Sequence, residues 1–107
     1  MDGTAATPLP TPIAGKKFDK GKARFDLFPM RIVEEAAEIM TFGAEKYGED
    51  NWRLPMQGRR GRWFSACLRH IFAYWRGEEL DPESGKNHLA HALCNLMFLM
   101  ETKNDAE

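Results

Sequence analysis

No stretch of this 107-residue chain approaches the roughly 20 apolar residues that cross a bilayer; the run Leu96 to Met100 is far too short. Cysteine is scarce. Cys67 and Cys94 are the only two, and neither has metal-ligand spacing. Both fall on expected apolar helix faces, as buried thiols of a reducing compartment do. Charge of one sign is lacking too, since the formal net charge is −1, which speaks against a general nucleic-acid coat. There is no strand-period alternation and no internal repeat. A phosphate-binding glycine loop, a dinucleotide fingerprint, a nucleophile elbow and a sequential His-Asp doublet are all missing. These absences leave a small, mostly helical protein, expected to be soluble and cytoplasmic, without a membrane span or a nucleic-acid partner.

The length allows one domain. Residues 1–15, with Pro8, Pro10, Pro12 and Gly15, read as a flexible leader. It has neither the basic start nor the long apolar segment of a signal peptide. Residues 16–104 then form a single helical domain. Gly15 to Leu27 reads as an ordered loop, with Asp26 or a neighbour capping a helix from Pro29 to Tyr47 that Gly48 ends. A second helix is expected from Arg62 to Arg76, stopped by Gly77, and a third from Lys86 to Lys103. The third is apolar around most of its circumference, which two other helices cover poorly. The expected fold is therefore all-α, a helical bundle completed by homo-oligomerisation, as a dimer or a dimer of dimers.

What the sequence does have is a crowd of acids on the first helix. At about 100° per residue, Glu34, Glu35 and Glu38 share one face, and Ile32, Ala36, Ile39 and Met40 take the other. Like charges at this spacing repel. Such a cluster is either a solvated acidic face or a site for a hard divalent cation. Two basic blocks flank it, Lys16 to Arg24 and Arg59 to Arg76. On the third helix His88, His91 and Asn95 form a narrow polar stripe. It reads as a transition-metal pair, as satisfied core histidines, or as partners of the glutamates across one cleft. Asp81 is either a loop carboxylate near a metal or a turn former before Pro82. His70 reads as structural.

The spacing Glu34-Glu35-x-x-Glu38 resembles the MazG-like, all-α nucleoside triphosphate pyrophosphohydrolases. Their second motif, Glu-x-x-Asp, is replaced here by His88 and His91. A closer resemblance is to a phage-borne branch, the MazZ-type purine deoxynucleoside triphosphate diphosphohydrolases. It is carried by Lys17-Phe18-Asp19, Phe42-Gly43-Ala44, Lys46-Tyr47-Gly48, Asn51-Trp52, Leu68-Arg69-His70, Asp81 to Gly85, and His88 to Asn95. The resemblance implies conversion of a purine triphosphate (dGTP first, GTP or dATP as alternatives) to the monophosphate and pyrophosphate with Mg2+ or Mn2+. It implies supply of dGMP to a phage 2-aminoadenine pathway in the host cytoplasm. On this reading Glu35 and Glu38 are the main metal ligands, Glu34 is a ligand or the base, and Lys22, Arg24, Lys46 and Arg69 grip phosphates. Asn51 and Trp52 meet the base, with Asp81, His88, His91 and Asn95 beside them. Two other readings stay open: a non-enzymatic dimeric interaction module, and a protein holding zinc or iron on His88 and His91.

Overall fold

A computed structural model describes residues 15–102. Apart from Gly15, the expected leader lies outside the described residues, as do residues 103 and 104 of the expected domain. The described chain holds three helices, α1 (Met30–Tyr47), α2 (Arg59–Trp75) and α3 (His88–Glu101), with single 3-10 turns at Phe25–Leu27 and Asn51–Arg53. No strand occurs among the described residues, and Leu80 and Asn87 form an isolated antiparallel bridge. The all-α expectation holds.

The middle of the fold is α3, which packs against both α1 and α2. Small residues make this possible: Ala90, Ala92 and Cys94 are all buried and let both neighbours approach closely. Toward α1, Ile39 meets Ala90 and Cys94, with Ala36, Met40 and Phe98 around them. Each expected buried thiol marks a helix crossing. The Cys94 thiol lies 3.7 Å from the Ala36 carbonyl of α1, and the Cys67 thiol lies 3.7 Å from the Ala92 carbonyl of α3. Burial raises the Cys94 pKa to about 11, so this thiol stays protonated and unreactive. Farther along α3, Phe98 stacks on Trp52 at 4.6 Å and lies 5.3 Å from the Trp63 ring.

All three helix starts differ from expectation, each for a local reason, and α2 and α3 end at Trp75 and Glu101 rather than at the expected Arg76 and Lys103. Asp26 does not cap α1; it sits in the 3-10 turn, where the Arg24 guanidinium donates to both of its carboxylate oxygens. Pro29 takes the N-cap position, with no side-chain cap bond. The start of α2 is Arg59 rather than Arg62, because Gly58 adopts φ 67° just ahead of it. The buried Arg59 guanidinium then donates to the carbonyls of Arg53 and Leu54. For α3 the start is His88, because Asn87 is a true N-cap whose side chain accepts the Leu89 N–H at 2.7 Å. At the far end of α1, Gly48 terminates the helix as expected, at φ 102° with its N–H on Ala44.

Candidate functional site

The turn between α2 and α3 is fixed by its own hydrogen bonds. Asp81 N–H donates to the Lys86 carbonyl and Gly85 N–H to the Asp81 carbonyl, both at 2.7 Å. The Asp81 carboxylate accepts the Ser84 N–H at 2.9 Å, and the Ser84 hydroxyl accepts the Lys86 N–H at 3.1 Å. Gly85 at φ 74° allows the reversal. The turn therefore presents Asp81, Ser84, Lys86 and Asn87 in a set arrangement to the helices on either side.

On the α1 side the turn meets the acidic face. Glu35, half-buried, accepts the Asn87 N–H at 3.0 Å, and Arg31 lies 3.8 Å from its other oxygen. Lys86 donates to the exposed Glu38 carboxylate at 2.6 Å. Glu34 is exposed and makes no ion pair among the described residues. Lys46, near the end of α1, pairs with Glu83 of the turn, a contact that raises its pKa, and its ammonium also lies over the Tyr47 ring at 5.1 Å.

Across the turn, all three histidines of the chain converge. His70 of α2 and the buried His88 face each other with their Nδ1 atoms 2.8 Å apart. His91 lies parallel to His70, ring centroids 4.5 Å apart and planes within 8°. Its Nε2 is 2.7 Å from the Ser84 hydroxyl and 3.7 Å from the Asp81 carboxylate. His88 Nε2 is 2.8 Å from Glu78. Burial, reinforced by the neighbouring imidazoles, pushes the His70 pKa down to about 4. Burial also lowers His91, against the pull of Asp81. For Asp81 burial works upward, but bonds from Ser84 and the nearby imidazoles outweigh it and hold the carboxyl below its usual value. His70 is thus a neutral ring near pH 7, and Asp81 is an anion.

The structure brings together Glu35, Glu38, Asp81, His88 and His91 around one turn, with Lys46 reaching it from the end of α1. Arg69 lies on α2, donates to Ser65 at 3.1 Å and lines an open recess of about 330 Å³ with His70, Arg76, Asp81 and His88. The remaining candidates lie elsewhere. Lys22 and Arg24 belong to the exposed segment before α1 and make no hydrogen bond or ion pair with the helices among the described residues. Trp52 has one ring face on Phe98, and the Arg53 guanidinium is 4.2 Å from its centroid. Phe98 is seven residues beyond His91, about 10 Å along the helix. Asn51 precedes that aromatic group and is exposed. Asn95 is buried on the histidine side of α3, and its Oδ1 has no hydrogen-bond partner among the described residues.

Sequence reasoning passed over His70 as structural and did not single out Glu78, Ser84, Lys86 or Asn87. One signal was available. Helical spacing sets His70 on the face of α2 that carries Trp63 and Cys67, and that face turns toward α3.

Comparison with known proteins yields two matches. A family model described as dATP/dGTP diphosphohydrolase, N-terminal, matches residues 12–107. A dATP/dGTP diphosphohydrolase of Salmonella phage PMBT28 is 37% identical over 94 residues, which cover 87% of this chain and 31% of that protein. The chain thus spans about a third of the length of this relative. No solved structure matches.

Proposed function

The chain belongs to the dATP/dGTP diphosphohydrolase N-terminal family, and on that footing we propose that it hydrolyses a purine deoxynucleoside triphosphate, dGTP first, to the monophosphate and pyrophosphate. The observation that carries this reading is the docking of the acidic face of α1, through Glu35 and Glu38, onto the Asp81–Asn87 turn. Carboxylates, lysines and imidazoles are then neighbours, which suits a ligand that carries both phosphate charge and bound cations.

The proposed cofactor is Mg2+ or Mn2+. The donor set of Glu34, Glu35 and Glu38 is all carboxylate oxygen, the chemistry that such hard cations take. When bound, the ion neutralises phosphate charge and lowers the pKa of an attacking water. The chain's residues supply the rest. Asn87 N–H orients Glu35, and the exposed Glu34 accepts the proton of the attacking water. Lys86, paired with Glu38, exchanges that carboxylate for a phosphate oxygen, and Lys46 does the same from Glu83. Water forms the new P–O bond, the α–β anhydride breaks, and pyrophosphate leaves.

The proposed assembly is a homodimer or a dimer of dimers. In support, Leu89, Leu96, Met97 and Met100 of α3 are 37–73% exposed in the single chain. That much apolar surface on one helix is the kind a second copy covers. No described helix is long and apolar enough to cross a membrane. The relative comes from a phage, which fits action in the host cytoplasm and supply of dGMP to a 2-aminoadenine nucleotide pathway. A panel of deoxy- and ribonucleoside triphosphates, incubated with Mn2+ and resolved by anion exchange, tests the proposal. The expected products are dGMP and pyrophosphate; release of dGDP and phosphate, or no turnover of any triphosphate, overturns it.

A further inference from the structure

The glutamate face leaves a second constellation unused. Ligand atoms of His70, Asp81 and His88, one from each, all lie within 4.8 Å of one another, and this is the only such convergent trio among the described residues. The three come from three different places, α2, the turn and the first residue of α3. Donors around a zinc-sized ion at about 2.1 Å stand roughly 3.0–3.4 Å from their neighbours, so small side-chain movements turn this cluster into a ligand shell.

Hydrogen bonding favours ligation. The Glu78 carboxylate only accepts, so the His88 Nε2–H donates to it. With Nε2 protonated, His88 Nδ1 keeps its lone pair and accepts from the His70 Nδ1–H at 2.8 Å, so a metal ion would take the place of the proton between the two rings. A histidine whose far nitrogen is tied to a carboxylate is the usual support for a metal-binding imidazole. Asp81 is likewise oriented, with one carboxylate oxygen taken by the Ser84 N–H. Two imidazoles and one carboxylate form a borderline donor set that selects Zn2+, Co2+ or Fe2+ over Mg2+. The ligands open onto the recess shared with Arg69 and Arg76, leaving coordination positions beside two guanidiniums.

We propose that His70, Asp81 and His88 form a transition-metal site, distinct from the glutamate face, with open positions that take an anionic oxygen ligand of the phosphate class. The site does not rest on the proposed hydrolysis, and its test is independent of turnover. Full-length protein stripped with EDTA and titrated with Co2+ in excess Mg2+, which keeps the glutamate face filled, is expected to show visible d–d absorption that saturates at one ion per chain and is bleached by Zn2+. His70→Gln and Asp81→Asn are each expected to weaken Co2+ binding at least tenfold. Glu35→Gln with Glu38→Gln is expected to leave it within about twofold. Because His70 is partly buried, Glu78→Gln provides a variant at an exposed position, with an expected loss of about 10–100-fold. Inorganic phosphate is expected to shift the Co2+ spectrum of the wild type and not that of Arg69→Gln with Arg76→Gln. Absence of a saturable one-to-one spectrum, or a spectrum indifferent to Glu78→Gln and Asp81→Asn, overturns the metal site. An indifferent response to phosphate overturns the anion position.

Discussion

The two sides of the Asp81–Asn87 turn are built differently. On the α1 side, Glu34 and Glu38 come from one helix, are exposed, and have long side chains; among the described residues their one ion pair is that of Glu38 with the Lys86 ammonium. On the α2–α3 side, short side chains from three segments are half-buried or buried and hydrogen-bonded, His88 through both ring nitrogens and His70 and His91 through one each. The first kind of site is cheap to form and easily rearranged around a ligand. The second is preorganised and contributes to the fold itself, because burying its polar atoms without partners would be costly. Substitutions on the α1 side should therefore act on chemistry, and those on the histidine side on stability first.

The largest stability effect is expected for His88→Ala. It empties a site that is 4% exposed and leaves His70 and Glu78 without their shared partner. A loss of about 2–4 kcal/mol is expected in urea unfolding. Next is an effect of pH in metal-free protein. The His70 pKa is about 4 in the fold, below the usual 6.5, so its neutral form is the stabilising one. That stability is complete above pH 6.5 and is lost as pH falls from 6.5 through 4. The thermal midpoint should drop across this window, and less steeply in His70→Gln. Asn87→Ala removes the N-cap of α3 and should cost about 1 kcal/mol, read by the same urea series. Smallest is Lys86→Met, which removes an exposed ion pair and should change stability by less than about 1 kcal/mol.

How far these two sides could be read from sequence follows from their construction. Glu34, Glu35 and Glu38 lie within one turn or so of one helix, so period alone puts them together. Helices 1 and 3 were legible for the same reason, as were the glycine stop at Gly48 and the burial of Cys67 and Cys94. The histidine cluster is different. His70 and His88 are separated by a helix end and a whole turn, and nothing in local spacing specifies that their Nδ1 atoms meet. The stripe of His88 and His91 was visible as a polar seam, but its partners Glu78 and Ser84 lie on the turn, where side-chain direction depends on the bonds around Gly85. Trp52 shows the same limit: its stacking on Phe98 joins residues 46 positions apart in sequence.

The role proposed for the acidic face of α1 is the chemistry itself. Its most direct test is the initial rate of pyrophosphate release from dGTP with Mn2+, wild type against the Glu35→Gln, Glu38→Gln double variant. Because the Asn87 N–H and Lys86 still find an amide oxygen in the variant, helix content by circular dichroism is expected to stay unchanged. A rate loss of at least about 100-fold is the expected result, since the carboxylates proposed as ligands and the water they would help activate are lost together. A double variant that turns over dGTP within a few-fold of wild type would contradict it.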